Sequence, residues 1–422
     1  MSARKTRTGQ GSNSAQVRLY NERIVLQALR RFGEASKADL ARAAGLTNNA
    51  IGTITAYLAA AGLVIELGKK REGQRGQPAM MLALAPEGAY SIGVRIDRVG
   101  WETVCVDFGG HILASRSHDS LLPPPQDMLA AVADDIRSIE HEIGPDRWER
   151  LAGIGLAQPY HLGSWLRELE LPAQSFRLWD DFDFGTALEA ETGIPVFVEN
   201  DGNAAAIAEL FYGHGRVLSD FIYLFIGGAV GGGIVLDGDC LRGSRGNAGD
   251  FAMMPVPASM LPSVPRPERA FDVLLTRTSL AGLRRHLRWH GHAVETLAEI
   301  GDLFRREPRP VAFAEWIDDA VAAFVPAVLA TTATLDVAHV VLEGDLDCGL
   351  IETIVERLAA ALVTATPESV PVPKVLDGSF RARAGALGAA TLPLFFNFSP
   401  RSSILTGTAP MFREFRDHAV RA

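Results

Sequence analysis

Three apolar, strand-like runs in this chain end in turns built from glycine or from acidic and amide residues, and this recurrence constrains the fold more than any other feature. Tyr90 to Ser115 reads YSIGVRIDRVGWETVCVDFGGHILAS, two apolar runs and then a Gly-Gly turn into a third. Val196 to Gly213 reads VFVENDGNAAAIAELFYG, where a strand ends in Glu199-Asn200-Asp201 and passes straight into an alanine-rich helix. From Phe221 the chain reads FIYLFIGGAVGGGIVLDGDCLRGSRGNAGDF, a strand, a glycine loop from Gly227 to Gly233, and another strand. Strands interleaved with helices call for an α/β body. Glycine turns between them let backbone amides approach a phosphate or a sugar closely. A single glycine cluster is most often a tight turn with no ligand, so the weight lies in the set.

With 422 residues the chain exceeds one ordinary core, and two or three packed units are expected. Its net charge of -9 conceals an asymmetry: residues 1–80 hold 13 Lys and Arg against 5 Asp and Glu, and the remainder is strongly acidic. A basic head on an acidic body points to a polyanionic partner for the head alone. Residues 1–17 are expected to form a disordered basic arm. Arg18 to Phe32 has apolar residues at helical spacing, with Asn21 available as its cap. Ser36 opens a second, short helix, which Gly45 ends. Thr47 then caps a third, NNAIGTITAYLAAAGLV. Two short helices joined by a glycine-containing turn are the helix-turn-helix pattern, and two strand-like stretches around a basic turn after Leu63 suit a wing, so residues 18–86 are expected to be a winged helix-turn-helix. In that motif the third helix enters the major groove of double-stranded DNA. Thr47, Asn48, Asn49 and Thr53 are the candidate base readers, because an Asn side chain can bond adenine with two hydrogen bonds. Lys69, Lys70, Arg71 and Arg75 are candidate phosphate contacts, with Arg4, Lys5, Arg7 and Arg18 beside them.

Other classes are excluded by what the chain lacks. It has no run of about 18 uncharged apolar residues, so no membrane span is expected, and its basic N-terminus has no apolar segment of the kind a secretory leader needs. A cytoplasmic location is the expectation. Cys105, Cys240 and Cys348 are far apart and suit buried thiols better than a disulfide framework or a zinc cluster. His286 and His290 share a helix face, with His292 nearby, but no acidic residue accompanies them in this Arg-rich segment. They read as surface histidines.

Taken in order, these pieces resemble the ROK family of repressors and sugar kinases. The head resembles its helix-turn-helix repressors, including Gly76-Gln77-Pro78, and residues from Ile92 to Leu394 resemble its body. The most specific matches are Glu199-Asn200-Asp201, the glycine loop and Asn247-Ala248-Gly249-Asp250. The resemblance implies a two-lobed, actin-like (ribonuclease H-like) sugar-kinase fold over residues 87–400, with a ligand in the cleft and a homodimer or homotetramer. It also implies that Asp201 occupies the kinase-base position. Departures from the family decide the branch. Trp101 stands where kinases carry the Thr of a phosphate loop, and Gly228-Ala229 replaces a Thr-Gly pair, so ATP is expected to fit poorly and no cofactor is expected. Met253 replaces the histidine of the family's zinc motif, so no metal is expected. A sugar or sugar derivative would then be bound by Asn200, Asp201, Asn247, Asp250 and Gly228. Asn and Asp commonly cap the helix that follows a strand, so Asn200 or Asp201 is equally suited to capping; both roles can coexist.

The remaining expectations are a helix from Gln126 to Glu142, helices over 271–290 and 312–332, a buried strand at 340–344, a small-residue helix at 385–392, and a tail from 401 to 422 with a terminal helix over 411–420. The function expected of the whole is a transcriptional regulator and not an enzyme, a repressor of carbohydrate-utilisation genes whose operator affinity a sugar or sugar derivative modulates; the alternative is an active ATP-dependent sugar kinase with a DNA-binding appendage.

Overall fold

The computed structural model describes residues 13–70, 79–163, 165–171, 173–179, 181–267 and 269–406. Its first helix, α1 (Ser14–Phe32), begins four residues before the expected Arg18. Asn13, not Asn21, is the cap. The Asn13 side chain accepts from the Gln16 amide (2.9 Å) while the Gln16 side chain accepts from the Asn13 amide (2.7 Å), a reciprocal box that gives two orphan donors a partner. Residues 14–17 of the expected arm are therefore helical. Residues 1–12, with Arg4, Lys5 and Arg7, lie outside the described residues.

After β1 (Glu34–Ser36) come α2 (Lys37–Ala44) and α3 (Asn48–Ala60), then β2 (Val64–Lys70) and β3 (Ala79–Leu84). These strands form a sheet in the order β1-β3-β2. Gly45 ends α2 at φ 64° and ψ 28°, a left-handed conformation that glycine adopts without a Cβ clash. Val25, Leu29, Leu40, Ile51 and Leu58 are buried where the three helices meet. Three helices followed by a small antiparallel sheet are the elements expected of a winged helix-turn-helix. Arg71, Arg75 and Gly76-Gln77-Pro78 lie outside the described residues.

The body contains two sheets of the same plan. The first holds β4 (Tyr90–Asp97), β5 (Gly100–Asp107), β6 (Ile112–His118), β7 (Leu151–Gln158) and β8 (Val196–Asn200) in the order β6-β5-β4-β7-β8. The second holds β9 (Phe221–Ile226), β10 (Val230–Leu236), β11 (Asp239–Cys240), β14 (His339–Gly344) and β15 (Lys374–Asp377) in the order β11-β10-β9-β14-β15. In each, three antiparallel strands are extended by two parallel ones. The glycine loop is shorter than expected: Gly231, Gly232 and Gly233 belong to β10, and only Gly227, Gly228 and Ala229 form the turn.

Between the sheets, α7 (Asp201–Tyr212) packs on β10 and α13 (Ala384–Phe398) on β4 and β7, and the two helices pack on each other. Their alanines and glycines allow this closeness: a Cβ at Gly388 would lie 2.7 Å from the Ala204 backbone. Helix α13 runs on through Pro393 instead of ending near Leu392. Proline removes the helical donor for the Ala389 carbonyl, and that carbonyl faces Gly155 of β7.

Helices α4 (Pro125–Ile143), α5 (Pro145–Trp148) and α6 (Phe184–Thr192) flank the first sheet. Beyond the second sheet, β12 (Pro255–Val256) pairs with β13 (Asp272–Val273), followed by α8 (Leu274–Thr278), α9 (Leu280–Trp289), α10 (Leu297–Phe304), α11 (Val311–Leu335) and, after β14, α12 (Cys348–Ala365). Arg277 of α8 is buried against Asp319 of α11, donating to both carboxylate oxygens (3.0 and 2.7 Å) and to the Asp319 carbonyl (2.7 Å). The last described helix, α14 (Ser402–Leu405), returns to α1 and buries Ile404, so packing shows no division at 401. Residues 411–420, expected to be helical, lie outside the described residues. Among the described residues no helix is long and apolar enough to cross a membrane.

Candidate functional site

The head presents the N-terminal turn of α3 to solvent. Thr47 caps the helix by accepting from the Ala50 amide (3.2 Å), and Asn48, Asn49 and Thr53 are exposed along the following turn. The Thr53 hydroxyl donates to the Asn49 carbonyl (3.2 Å). The opposite face, Ile51, Ile54 and Leu58, is buried. A Cβ at Gly52 would meet nothing within 4 Å, leaving the helix surface open there. Lys69 is exposed near the end of β2, which also carries Lys70. Arg18 bonds Glu22 (2.9 Å) and lies 4.9 Å over the Tyr57 ring.

In the body the two sheets face each other at their hairpins. The β4–β5 turn carries Asp97, Arg98 and Val99; the β9–β10 turn carries Gly228. A Cβ at Gly228 would lie 3.3 Å from an Asp97 carboxylate oxygen, so any larger residue would press on that carboxylate. Beside this contact Arg95 of β4 donates to both oxygens of Asp345, just after β14, at 3.1 and 2.8 Å. Both side chains are largely buried. Burial works against the Arg95 charge, but the paired Asp345 carboxylate outweighs it and holds the guanidinium protonated. Arg98 is buried too, donating to the Leu162 (3.0 Å) and His161 (3.1 Å) carbonyls.

Asn200 and Asp201 sit where β8 passes into α7. Asn200 does act as the cap: its side-chain oxygen accepts from the Gly202 (3.0 Å) and Asn203 (3.3 Å) amides. Asp201 accepts from the Gly202 amide (2.9 Å). Burial and then the nearby Asp97 carboxylate push its pKa upward, against Arg95 and Arg98. Glu199 turns away from this cluster. It is ion-paired with Arg242 (2.7 Å) and accepts from Asn203 (3.3 Å), and burial raises its pKa. Asn247 donates to Asp250 (3.0 Å), whose pKa is raised first by burial. Their loop approaches β10 through Gly249, where a Cβ would lie 3.0 Å from the Gly232 carbonyl; a Cβ at Gly202, at the start of α7, would lie 2.6 Å from that same oxygen. Gly232 thus joins the two candidate ligand segments. Trp179, by contrast, is core: buried, stacked on Phe184 and bonded to the Pro123 carbonyl (3.3 Å).

The sequence pattern described as the ROK family matches residues 93–394. The chain belongs to the ROK family. An uncharacterized protein of Sinorhizobium fredii is 30% identical over 90% of this chain and 91% of its own length. The DNA-binding transcriptional repressor Mlc of Escherichia coli is 28% identical over 54% of this chain and 55% of its own. A beta-glucoside kinase of Listeria monocytogenes is 39% identical over 29% of this chain and 40% of its own. The match thus spans about half or less of those two functionally named relatives. A crystal structure of a ROK transcriptional regulator, a homologue of Escherichia coli Mlc, shares the fold with a TM-score of 0.65 at 22% identity, over 93% of this chain and 98% of that one.

Two expectations read from the sequence need correction. Trp101 was expected to crowd the phosphate loop, but its ring stacks on His118 (centroids 4.3 Å apart) and its indole donates to Asp135 of α4 (3.3 Å). Residues alternate faces along a strand, and position 101 faces α4. What stands between the two hairpins of this ROK body is the Arg95–Asp345 pair. The absence of a metal was expected on two grounds. The first concerns the family's zinc motif: Met253, at its histidine position, is exposed, Cys240 lies in β11 and Cys348 opens α12. The second falls, because His286 is fully buried and Glu315 of α11 accompanies both His286 and His290.

Sequence reading missed the junction of head and ROK body. Arg30 of α1 lies 3.6 Å over the Phe211 ring and 4.8 Å over Phe108, and donates to the Phe108 carbonyl (3.2 Å). Burial lowers its pKa to about 10. Arg23 and Arg31 reach the Ser399 carbonyl (3.4 Å) and the Ser219 hydroxyl (3.3 Å). A cavity of about 680 Å³ opens beside them, lined by Leu29, Arg30, Tyr212, Arg216, Phe380 and Arg383 among others. Arg30 and Arg31 in the last turn of α1, with Arg23 two turns earlier, were the available signal.

Proposed function

We propose that this ROK protein is a DNA-binding transcriptional regulator, a repressor of carbohydrate-utilisation genes whose operator affinity is set by a sugar or sugar derivative in a degenerate kinase cleft. The observation that carries this reading is the exposed polar turn Thr47, Asn48, Asn49 and Thr53 on a helix whose other face is buried, in a head whose sequence is basic. Such a helix offers paired amide donors and acceptors to base edges, while Lys69, Lys70, Arg71 and Arg75 supply phosphate contacts. The name of the Escherichia coli relative points the same way. The protein acts in the cytoplasm as a homodimer or homotetramer, on a palindromic operator with half-sites about one helical turn, or a multiple of it, apart.

In the cleft, Asp201 and Asp250 accept hydrogen bonds from sugar hydroxyls. Asn247 and the free amide group of Asn200 donate to them, and Gly228 leaves room beside Asp97. The Arg95–Asp345 pair supports regulation over catalysis, since a nucleotide phosphate seated between the hairpins would have to displace it. Retention of Asp201 at the kinase-base position favours a second reading, an ATP-dependent sugar kinase with a DNA-binding head. Sugar-dependent ADP release lost in Asp201→Asn would establish that alternative.

The test of the first reading is Asn49→Ala, measured on the operator and on random DNA at one salt concentration. The expected cost is about 1–3 kcal/mol on the operator and close to none on random DNA. Equal losses on both would take Asn49 out of base recognition. Asn48→Ala is expected to behave alike.

A further inference from the structure

We infer that His286, His290 and Glu315 form a binding site for a divalent transition-metal ion, with zinc as the best-matched occupant. His286 lies on α9 and His290 is the cap at its C-terminus, one turn on; their rings are 4.8 Å apart, centre to centre. Glu315 projects from α11, so the three ligands join two helices of the second lobe. One Glu315 oxygen lies 3.1 Å from the His286 Nε2 and 2.9 Å from the His290 Nε2, and all three donor atoms are within 4.8 Å of one another. Zinc–nitrogen and zinc–oxygen bonds of about 2.0–2.1 Å in a tetrahedron put neighbouring ligand atoms about 3.3 Å apart. A shift of a few tenths of an ångström in the Glu315 oxygen, whose side chain is 40% exposed, brings both oxygen–nitrogen distances to that spacing, and the two ring nitrogens, within 4.8 Å of each other, close to it as the half-buried His290 ring turns.

The surroundings have the features of a built metal site. His286 is 0% exposed, and its Nδ1 meets the buried Ser263 hydroxyl at 2.8 Å. With Nε2 on the metal, Nδ1–H donates to Ser263, an outer contact that fixes ring tautomer and direction. Two imidazoles and a carboxylate suit zinc and its transition-metal neighbours, whereas calcium and magnesium prefer all-oxygen sites. Three protein ligands leave one tetrahedral position for water, on the side where His290 and Glu315 reach solvent. The ion would clamp α9 to α11 and, through Ser263, to the proline-rich stretch 262–267. None of these residues belongs to the family's zinc motif or to the cleft.

The test uses the full-length protein stripped with a chelator and titrated with zinc chloride. One equivalent is expected to bind, excess magnesium is expected not to compete, and cobalt in place of zinc is expected to give the intense visible absorption of a tetrahedral nitrogen-and-oxygen site. His290→Ala and Glu315→Gln, both partly exposed positions, should each weaken zinc binding at least 100-fold and abolish the cobalt band. Ser263→Ala should weaken it about tenfold. Zinc affinity equal in the wild type and in His290→Ala, with native circular dichroism in both, would overturn the proposal. So would a wild type that binds no zinc.

Discussion

Asp201→Ala is expected to leave operator affinity within about twofold of the wild type and to remove its response to effector. A hydrogen bond to a charged group contributes about 1.5–3 kcal/mol, so losing one such bond moves the half-response concentration about 10–150-fold; losing two abolishes the response over any accessible range. The fold should survive. Burial and Asp97 already disfavour the Asp201 carboxylate in the ligand-free protein, so deleting it removes a group whose charge the folded state tolerates poorly. The effector can change DNA affinity only through its different affinities for the DNA-competent and incompetent states. Binding without response in Asp201→Ala would move the coupling elsewhere, and loss of DNA binding without effector would give Asp201 a structural role. Titrating effector against fluorescently labelled operator reads both.

The second large effect is on stability. Arg277→Ala leaves the buried Asp319 carboxylate without its main partner and with the Ser259 hydroxyl (2.8 Å) as its remaining hydrogen bond among the described residues. Breaking a buried pair from one side costs about 3–5 kcal/mol. Replacing both partners, as in Arg277→Met with Asp319→Leu, removes both charges at once and is expected to cost far less. Scanning calorimetry of the second lobe's transition compares the three proteins. A double variant as unstable as Arg277→Ala would show that the pair contributes through specific bonds and not through the stranded charge.

These effects rest on pairs that differ greatly in how visible they are in sequence. Helix and strand positions follow from apolar periodicity, and the caps at Ser36, Thr47 and Asn200 follow from local residue type, so the head and the hairpins of both sheets were legible, whereas the parallel strands β7 and β15 were not read. The start of α1 was legible too, through the Asn13-x-x-Gln16 box, but its polar first turn masked it. Contacts between distant segments were not. Arg95 and Asp345 are 250 positions apart, and Glu315 reaches His290 across 25; neither local pattern nor composition announces them. Trp101 misled because a residue's place in a motif does not say which face of the strand it occupies. The ligand roles proposed for Asn247 and Asp250 likewise depend on Gly232 bringing their loop to the start of α7, a contact that lies in the packing and not in the local sequence.

The most direct measurement is the ratio of affinities for a palindromic sequence recovered from random DNA by the full-length protein and for a scrambled version, both at physiological salt. A regulator that reads bases through α3 should give a ratio of at least about 10³. A ratio near one, with binding that simply follows salt concentration, would contradict it.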